Sequence, residues 1–209
     1  MTLRLNGATS GFTEIDAPAV AGSNTLVLPG GNGSNGNILG TDGAGNLSWV
    51  NGRMVLDTAK ASTSGTSVDF TGIPSWVKKI TVMFNGVSTN GSSNIQIQIG
   101  STSFSTSGYT GSGSIVTSGS TITSNLSTGF AVSISVGSAN TYNGTATICL
   151  IGSNTWAYNS VFGRGDAAAT YFSGGVSPAL SGTLDRLRIT TVNGTDTFDA
   201  GSINILYEG

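Results

Sequence analysis

Histidine is missing from this chain, and cysteine nearly so: of 209 residues only Cys149 carries a thiol. Without imidazole there is no Ser-His-Asp or Cys-His catalytic arrangement and no imidazole metal site. A lone cysteine excludes an internal disulfide framework and a cysteine-based metal cluster. Cys149 lies in the apolar run Ala146 to Ile151, where a buried and inert thiol is expected. Charge is scarce too. Charged residues make up 9% of the chain, against about 25% in an ordinary globular protein. The net charge of −2 gives no basic field for nucleic acid and no polybasic patch for anionic lipid. The N-terminus MTLRLNGATSG lacks an apolar run of signal-peptide length, and no later run is long enough for membrane insertion. Neither a secretory route nor a membrane partner is expected.

What is abundant is glycine, serine, threonine and asparagine. Such a composition raises the prospect of disorder, yet disordered chains combine low hydrophobicity with high charge. Here 37% of residues are hydrophobic, and valine and isoleucine fall in alternation. Helix is nearly excluded, because the longest glycine-free run is the thirteen residues Ile73 to Asn85, and Pro74 interrupts it. Asn-Gly pairs at Asn6, Asn32, Asn35, Asn51, Asn85, Asn90, Asn143 and Asn193 tolerate the positive φ of tight hairpin turns. Short apolar runs between such signals predict an all-β chain.

The stretch Val68 to Phe84 (VDFTGIPSWVKKITVMF) is the clearest strand signal. Gly72-Ile73-Pro74 makes a turn. Beyond it, Ile80, Val82 and Phe84 share one strand face, with Thr81 and Met83 on the other. Trp76 is expected to plug one end of a β-core, and its replacement by Ala to cost roughly 3–5 kcal/mol. Further strands are predicted at Asn94–Ile99, Thr128–Val136, Thr145–Ile151, Leu184–Val192 and Ser202–Tyr207. Two of them alternate as half-buried antiparallel strands do: Ile95/Ile97/Ile99 against Gln96/Gln98, and Phe130/Val132/Ile134/Val136 against Ala131/Ser133/Ser135.

Three segments follow. Residues 1–51 carry ten glycines, two of the four prolines and scattered large apolar residues, with strands too short to close a core. They read as a docking or oligomerising region whose missing burial comes from identical copies or a larger body; the alternative is a flexible leader. Residues 52–66 read as a linker containing one strand, Met54-Val55-Leu56, and residues 67–209 as an antiparallel, jelly-roll-like β-sandwich. From Ile80 to Gly163 run 84 consecutive uncharged residues. A monomer surface mixes charges, so this run either faces other subunits or presents a neutral Ser/Thr surface.

Candidate chemistry is sparse. The acid pairs Glu14/Asp16 and Asp196/Asp199 could in principle serve a glycosidase, but the second lies in a hairpin-like NGTDTFDAG context. The loop Asp42-Gly-Ala-Gly-Asn46 lacks the closing acid of a calcium site and reads as a glycine-rich turn. Asp185, Arg186 and Arg188 read as a solvated or interchain salt-bridge face. No cofactor or metal is implied, and no enzyme. Tyr109, Tyr142, Trp156 and Tyr158 lie near Asn140, Asn143, Asn154 and Asn159. Aromatic faces beside amides suit sugar recognition, which makes these four rings candidate receptor contacts. The other reading of the same rings is core plugs or intersubunit packing.

The N-terminal LRLNGATSGFTEIDAPAVAGSNTLVLPGGNGSNGNILGTDGAGNLSWV resembles the leader of bacteriophage fibre proteins, including those of marine and cyanobacterial phages. FTGIPSWVKKITVMFNGVSTNGSSNIQIQIG and the closing LDRLRITTVNGTDTFDAGSINILYEG resemble the C-terminal domain of such proteins. The resemblance covers about half the chain and leaves Ser101 to Ser181 unmatched, where receptor loops would lie. It implies a homotrimeric tail or head fibre of the virion, assembled in the host cytoplasm. Residues 1–51 would dock on other virion proteins, and the sandwich would attach to a host-surface glycan or protein. A capsid decoration or baseplate component without a receptor, and a depolymerase spike, are the competing expectations.

Overall fold

The computed structural model describes residues 3–20, 22–34, 36–52, 54–125, 127–134, 137–138 and 140–209. The chain is all-β, with no helix among the described residues. It divides into two compact units, residues 1–52 and 53–209.

The first unit holds two small hairpins. Strands β1 (Leu3–Asn6) and β2 (Phe12–Ile15) pair in antiparallel register, as do β3 (Asn37–Thr41) and β4 (Leu47–Asn51). Val27 forms an isolated parallel bridge to Asn46. On β1–β2, Arg4 pairs with Glu14 at 2.7 Å and lies over the Phe12 ring, which leaves Leu3, Leu5 and Ile15 on the opposite face. That face is open: of residues 3–50 and 52, none that the structure describes is buried. Leu28 is 72% exposed and Trp49 40%. Trp49 is held only locally, its indole N–H donating to the carbonyl of Gly31. Asn35, one of the eight Asn-Gly turn positions, lies outside the described residues.

The second unit runs β5 (Met54–Leu56), β6 (Lys60–Ala61), β7 (Ser67–Thr71), β8 (Lys79–Thr89), β9 (Ile95–Ser101), β10 (Ser103–Phe104), β11 (Thr110–Thr117), β12 (Thr121–Asn125), β13 (Phe130–Ala131), β14 (Tyr142–Gly152), β15 (Thr155–Arg164), β16 (Ala169–Val176), β17 (Arg186–Thr191) and β18 (Phe198–Glu208). A five-stranded sheet has the order β10-β9-β17-β7, with β13 also on β9. A nine-stranded sheet has the order β12-β11-β16-β15-β14-β8-β18-β5, with β6 also on β18. Their inner faces share one apolar core, so the unit is an antiparallel β-sandwich. The chain steps between layers at β6 to β7, β7 to β8, β8 to β9, β10 to β11, β12 to β13, β13 to β14, β16 to β17 and β17 to β18, as in a jelly roll. By contrast, β14-β15-β16 is a meander within one sheet. The β14–β15 hairpin closes through Ser153 (φ 48) and Asn154 (φ 58), two successive left-handed residues that match the twist of the strands they join.

The stretch 68–84 spans both layers. Val68 and Phe70 on β7 face the core from one sheet, and Ile80, Val82 and Phe84 on β8 face it from the other. Each such side chain contributes about 1.5–3 kcal/mol of burial. Trp76, between them, is only partly buried and packs against Tyr207 with ring centroids 5.8 Å apart.

Four expectations need correction. Residues 54–61 are not a linker, because β5 and β6 pair with β18 and extend its sheet. Residues 101–181 are mostly strands β10 to β16 and not a set of loops. Of the predicted strand Thr128–Val136, the described residues 128–134 form ladder pairs only at Phe130 and Ala131, and Ser135 lies outside the described residues. Residues 129–134 are buried throughout, and Tyr158 Oη donates to the Ala131 carbonyl at 2.6 Å from the opposite sheet; Val136 lies outside the described residues. Cys149 is half-buried, with Lys79 and Ala157 as its cross-strand neighbours.

Candidate binding site

Tyr109, Tyr142, Trp156 and Tyr158 all point into the sandwich. Tyr109 packs edge-on against Phe130 (4.9 Å, 80°), and Phe130 stacks on Tyr158 (4.5 Å, 4°). The Tyr109 hydroxyl accepts from the Ile99 amide at 2.9 Å and donates to the Ser105 carbonyl at 3.1 Å. Tyr142 takes a hydrogen bond from Asn140 Nδ2 at 3.3 Å and meets Tyr171 edge-on. Burial pushes the Tyr109 and Tyr158 phenols up to about 12 and raises that of Tyr142 as well. The cavity beside Tyr109 and Tyr158 holds about 10 Å³, room for one water and no sugar ring. The four rings are core, and none offers a face to a receptor.

Three of the four paired acids make structural hydrogen bonds or an ion pair. Asp196 Oδ2 accepts from the Ser93 amide at 2.8 Å and its Oδ1 from Asn193 Nδ2 at 2.6 Å, tying two loops together. Glu14 is taken up by Arg4, and Asp16 caps the Ala17 amide at 2.9 Å. Asp42 accepts from the amides of Ala44 (2.8 Å) and Asn46 (3.1 Å) and from Asn46 Nδ2 (2.6 Å). Those bonds, the Asn46 side chain first, hold its carboxyl below the usual carboxylate range. No cluster of three metal-ligating side chains exists among the described residues.

An open groove lies instead across the outer face of the five-stranded sheet. Alternation turns Ser67 and Asp69 of β7, Gln96 and Gln98 of β9, and Arg188 and Thr190 of β17 outward. The register sets them in two rows: Asp69–Arg188–Gln98, and Ser67–Thr190–Gln96. Arg188 grips Asp69 with both arms, Nε to Oδ1 at 2.8 Å and Nη2 to Oδ2 at 2.7 Å, and lies 4.1 Å over the Phe104 ring. The Asp69 carboxylate beside it raises the guanidinium's pKa. Arg186 pairs with its neighbour Asp185 at 2.7 Å. Both ion pairs therefore close within one chain. Thr128 organises the far side, donating to Gln96 Oε1 at 2.7 Å and accepting from Gln98 Nε2 at 2.9 Å through its carbonyl. Gly129 permits this closeness, because a Cβ there would stand 2.8 Å from Gln96 Oε1. The groove encloses about 320 Å³.

This face escapes sequence reading for a definite reason. Alternation marks Gln96 and Gln98 as the solvent side of a half-buried strand, whereas they are 2% and 6% exposed. What covers them comes from the distant Thr128 loop, and what aligns them with Arg188 is a pairing between strands about ninety residues apart in the chain.

The outer face of the nine-stranded sheet carries much of the uncharged run. It is a field of Thr, Ser and Asn in which Val161 and Phe172, cross-strand partners, are 48% and 44% exposed. Compared with protein-family models, with characterised proteins and with solved structures, the chain finds no match in any of the three.

Proposed function

We propose that this chain is a homotrimeric bacteriophage fibre protein of the virion. Residues 1–51 dock on other virion proteins and on one another, and the sandwich attaches to the host surface through a glycan. One observation carries the reading: every described large apolar side chain of residues 3–52 is at least partly exposed, whereas residues 54–209 possess a complete core. A segment so built gains its burial from other chains. The outer face of the nine-stranded sheet is poor in charge, its Lys79 paired with Glu208 at 2.7 Å, which agrees with close packing of identical copies, where like charges would oppose one another. Three copies about one axis turn weak contacts into avid ones.

The burial of the four rings favours a second reading, a capsid decoration or baseplate component whose sandwich binds no receptor. Adsorption separates the two. The purified protein should bind host cells and block infection under the first reading, and do neither under the second.

A further inference from the structure

We infer that the groove over the outer face of the five-stranded sheet is a binding site for a neutral saccharide; the assignment rests on the attachment reading only for the biological source of the sugar. A saccharide hydroxyl both donates and accepts, so its site needs donors and acceptors interleaved and held still. Thr128 uses one side of each glutamine amide. That leaves Gln96 Nε2 free to donate, and leaves Gln98 with Oε1 to accept and one N–H to donate. Arg188 spends two of its five N–H groups on Asp69 and keeps three. Ser67 adds a hydroxyl to the Gln96 row, and Thr190, whose own proton goes to the Thr66 carbonyl at 2.9 Å, adds an acceptor there.

Burial distinguishes this face from ordinary polar surface. Gln96 and Gln98 as residues are 2% and 6% exposed, yet neither amide holds a buried atom without a partner, so the atoms that Thr128 leaves unused reach the groove. A strand with only a structural task would bury apolar side chains there or leave the glutamines in solvent. Charge fixes the ligand class. Arg188 is neutralised by Asp69 at the groove floor, which gives neither a phosphate nor a carboxylate a net field. The volume lies at the low end of the roughly 300–1,000 Å³ of small-ligand sites. The face of Phe104 nearest the groove is covered by Arg188, so the site has no free ring to stack on a sugar. A single copy should therefore bind at about millimolar strength, with attachment relying on several copies together.

The test uses the full-length protein labelled with nitrogen-15 and follows the side-chain amide signals of Gln96 and Gln98. The probes are the methyl glycosides of glucose, galactose, mannose, N-acetylglucosamine and rhamnose. At least one should shift both amides saturably. Gln98→Leu should weaken that binding by about tenfold or more, and Phe172→Ser on the opposite sheet should leave it unchanged. If Gln98→Leu does not fold, Arg188→Lys carries the same comparison. Absence of a saturable shift with every glycoside overturns the assignment, as does a shift that Gln98→Leu and Arg188→Lys both leave intact. Adsorption to cyanobacterial and other marine bacterial cells keeps the two ideas apart. Adsorption that persists undiminished in variants that have lost the amide shifts supports the groove as a saccharide site and counts against it as the route of attachment. Saturable amide shifts without adsorption support the groove and count against attachment.

Discussion

Both units are rich in glycine and small polar residues, and they differ in where their apolar side chains go. In residues 54–209, Ile80, Val82, Ile97, Ile148, Leu187 and Ile203 are sealed between two sheets. In residues 3–52, Leu3, Leu5, Phe12 and Ile15 stand in the open on a two-stranded hairpin, and Leu26 and Leu28 in the segment between the hairpins. The same alternation that builds a core where two sheets oppose each other builds none where each hairpin stands alone. Strand-forming sequence is thus not enough; a second layer decides whether burial follows.

The largest effects should separate the units by substitution. Trp156→Ala removes a ring 2% exposed in the sandwich core and should cost about 3–5 kcal/mol by chemical denaturation. Trp49→Ala should leave the sandwich's unfolding midpoint unchanged while weakening self-association. If both mutations shifted the same transition equally, the contrast would fail. Trp76→Ala should fall between them, at about 2 kcal/mol. The sequence suggested a full core plug, but Trp76 is only half-buried beside Tyr207.

Alkaline titration sharpens the contrast differently, because all five tyrosines belong to the sandwich. For Tyr109 and Tyr158 the folded pKa is raised from 10.0 to about 12 by burial. Their neutral phenols stabilise the fold fully below pH 10, and that contribution is lost as pH rises through 12. Phenolate absorbance should therefore appear for these rings only as the sandwich unfolds. A reversible titration near pH 10 with the fold intact would show them to be accessible.

The smallest effect belongs to the leader. Arg4 and Glu14 form an exposed pair, and Glu14→Gln should change stability by less than about 1 kcal/mol, with no effect on sandwich unfolding.

Local pattern made part of this architecture legible. The Ile80/Val82/Phe84 face, the turn at Gly72 to Pro74 and the coreless leader all follow from period-two alternation, proline geometry and glycine density. Strands β11, β15 and β16 were not, because glycines at 111, 113, 163, 174 and 175 interrupt their apolar rhythm. The four aromatics misled for a related reason. Their small and polar neighbours look like loop in sequence, yet Tyr142, Trp156 and Tyr158 hold inward positions of β14 and β15, and Tyr109 lies one residue before β11. The groove was least accessible, since its rows depend on pairing β9 to β17 and β17 to β7 across distant parts of the chain.

The central claim is that residues 1–51 obtain their burial from other copies. Light scattering of the full-length protein tests it directly: the account predicts a mass about three times 21.0 kDa, falling when residues 1–52 are removed while the sandwich stays folded. A full-length protein that remains a monomer of 21.0 kDa would contradict it.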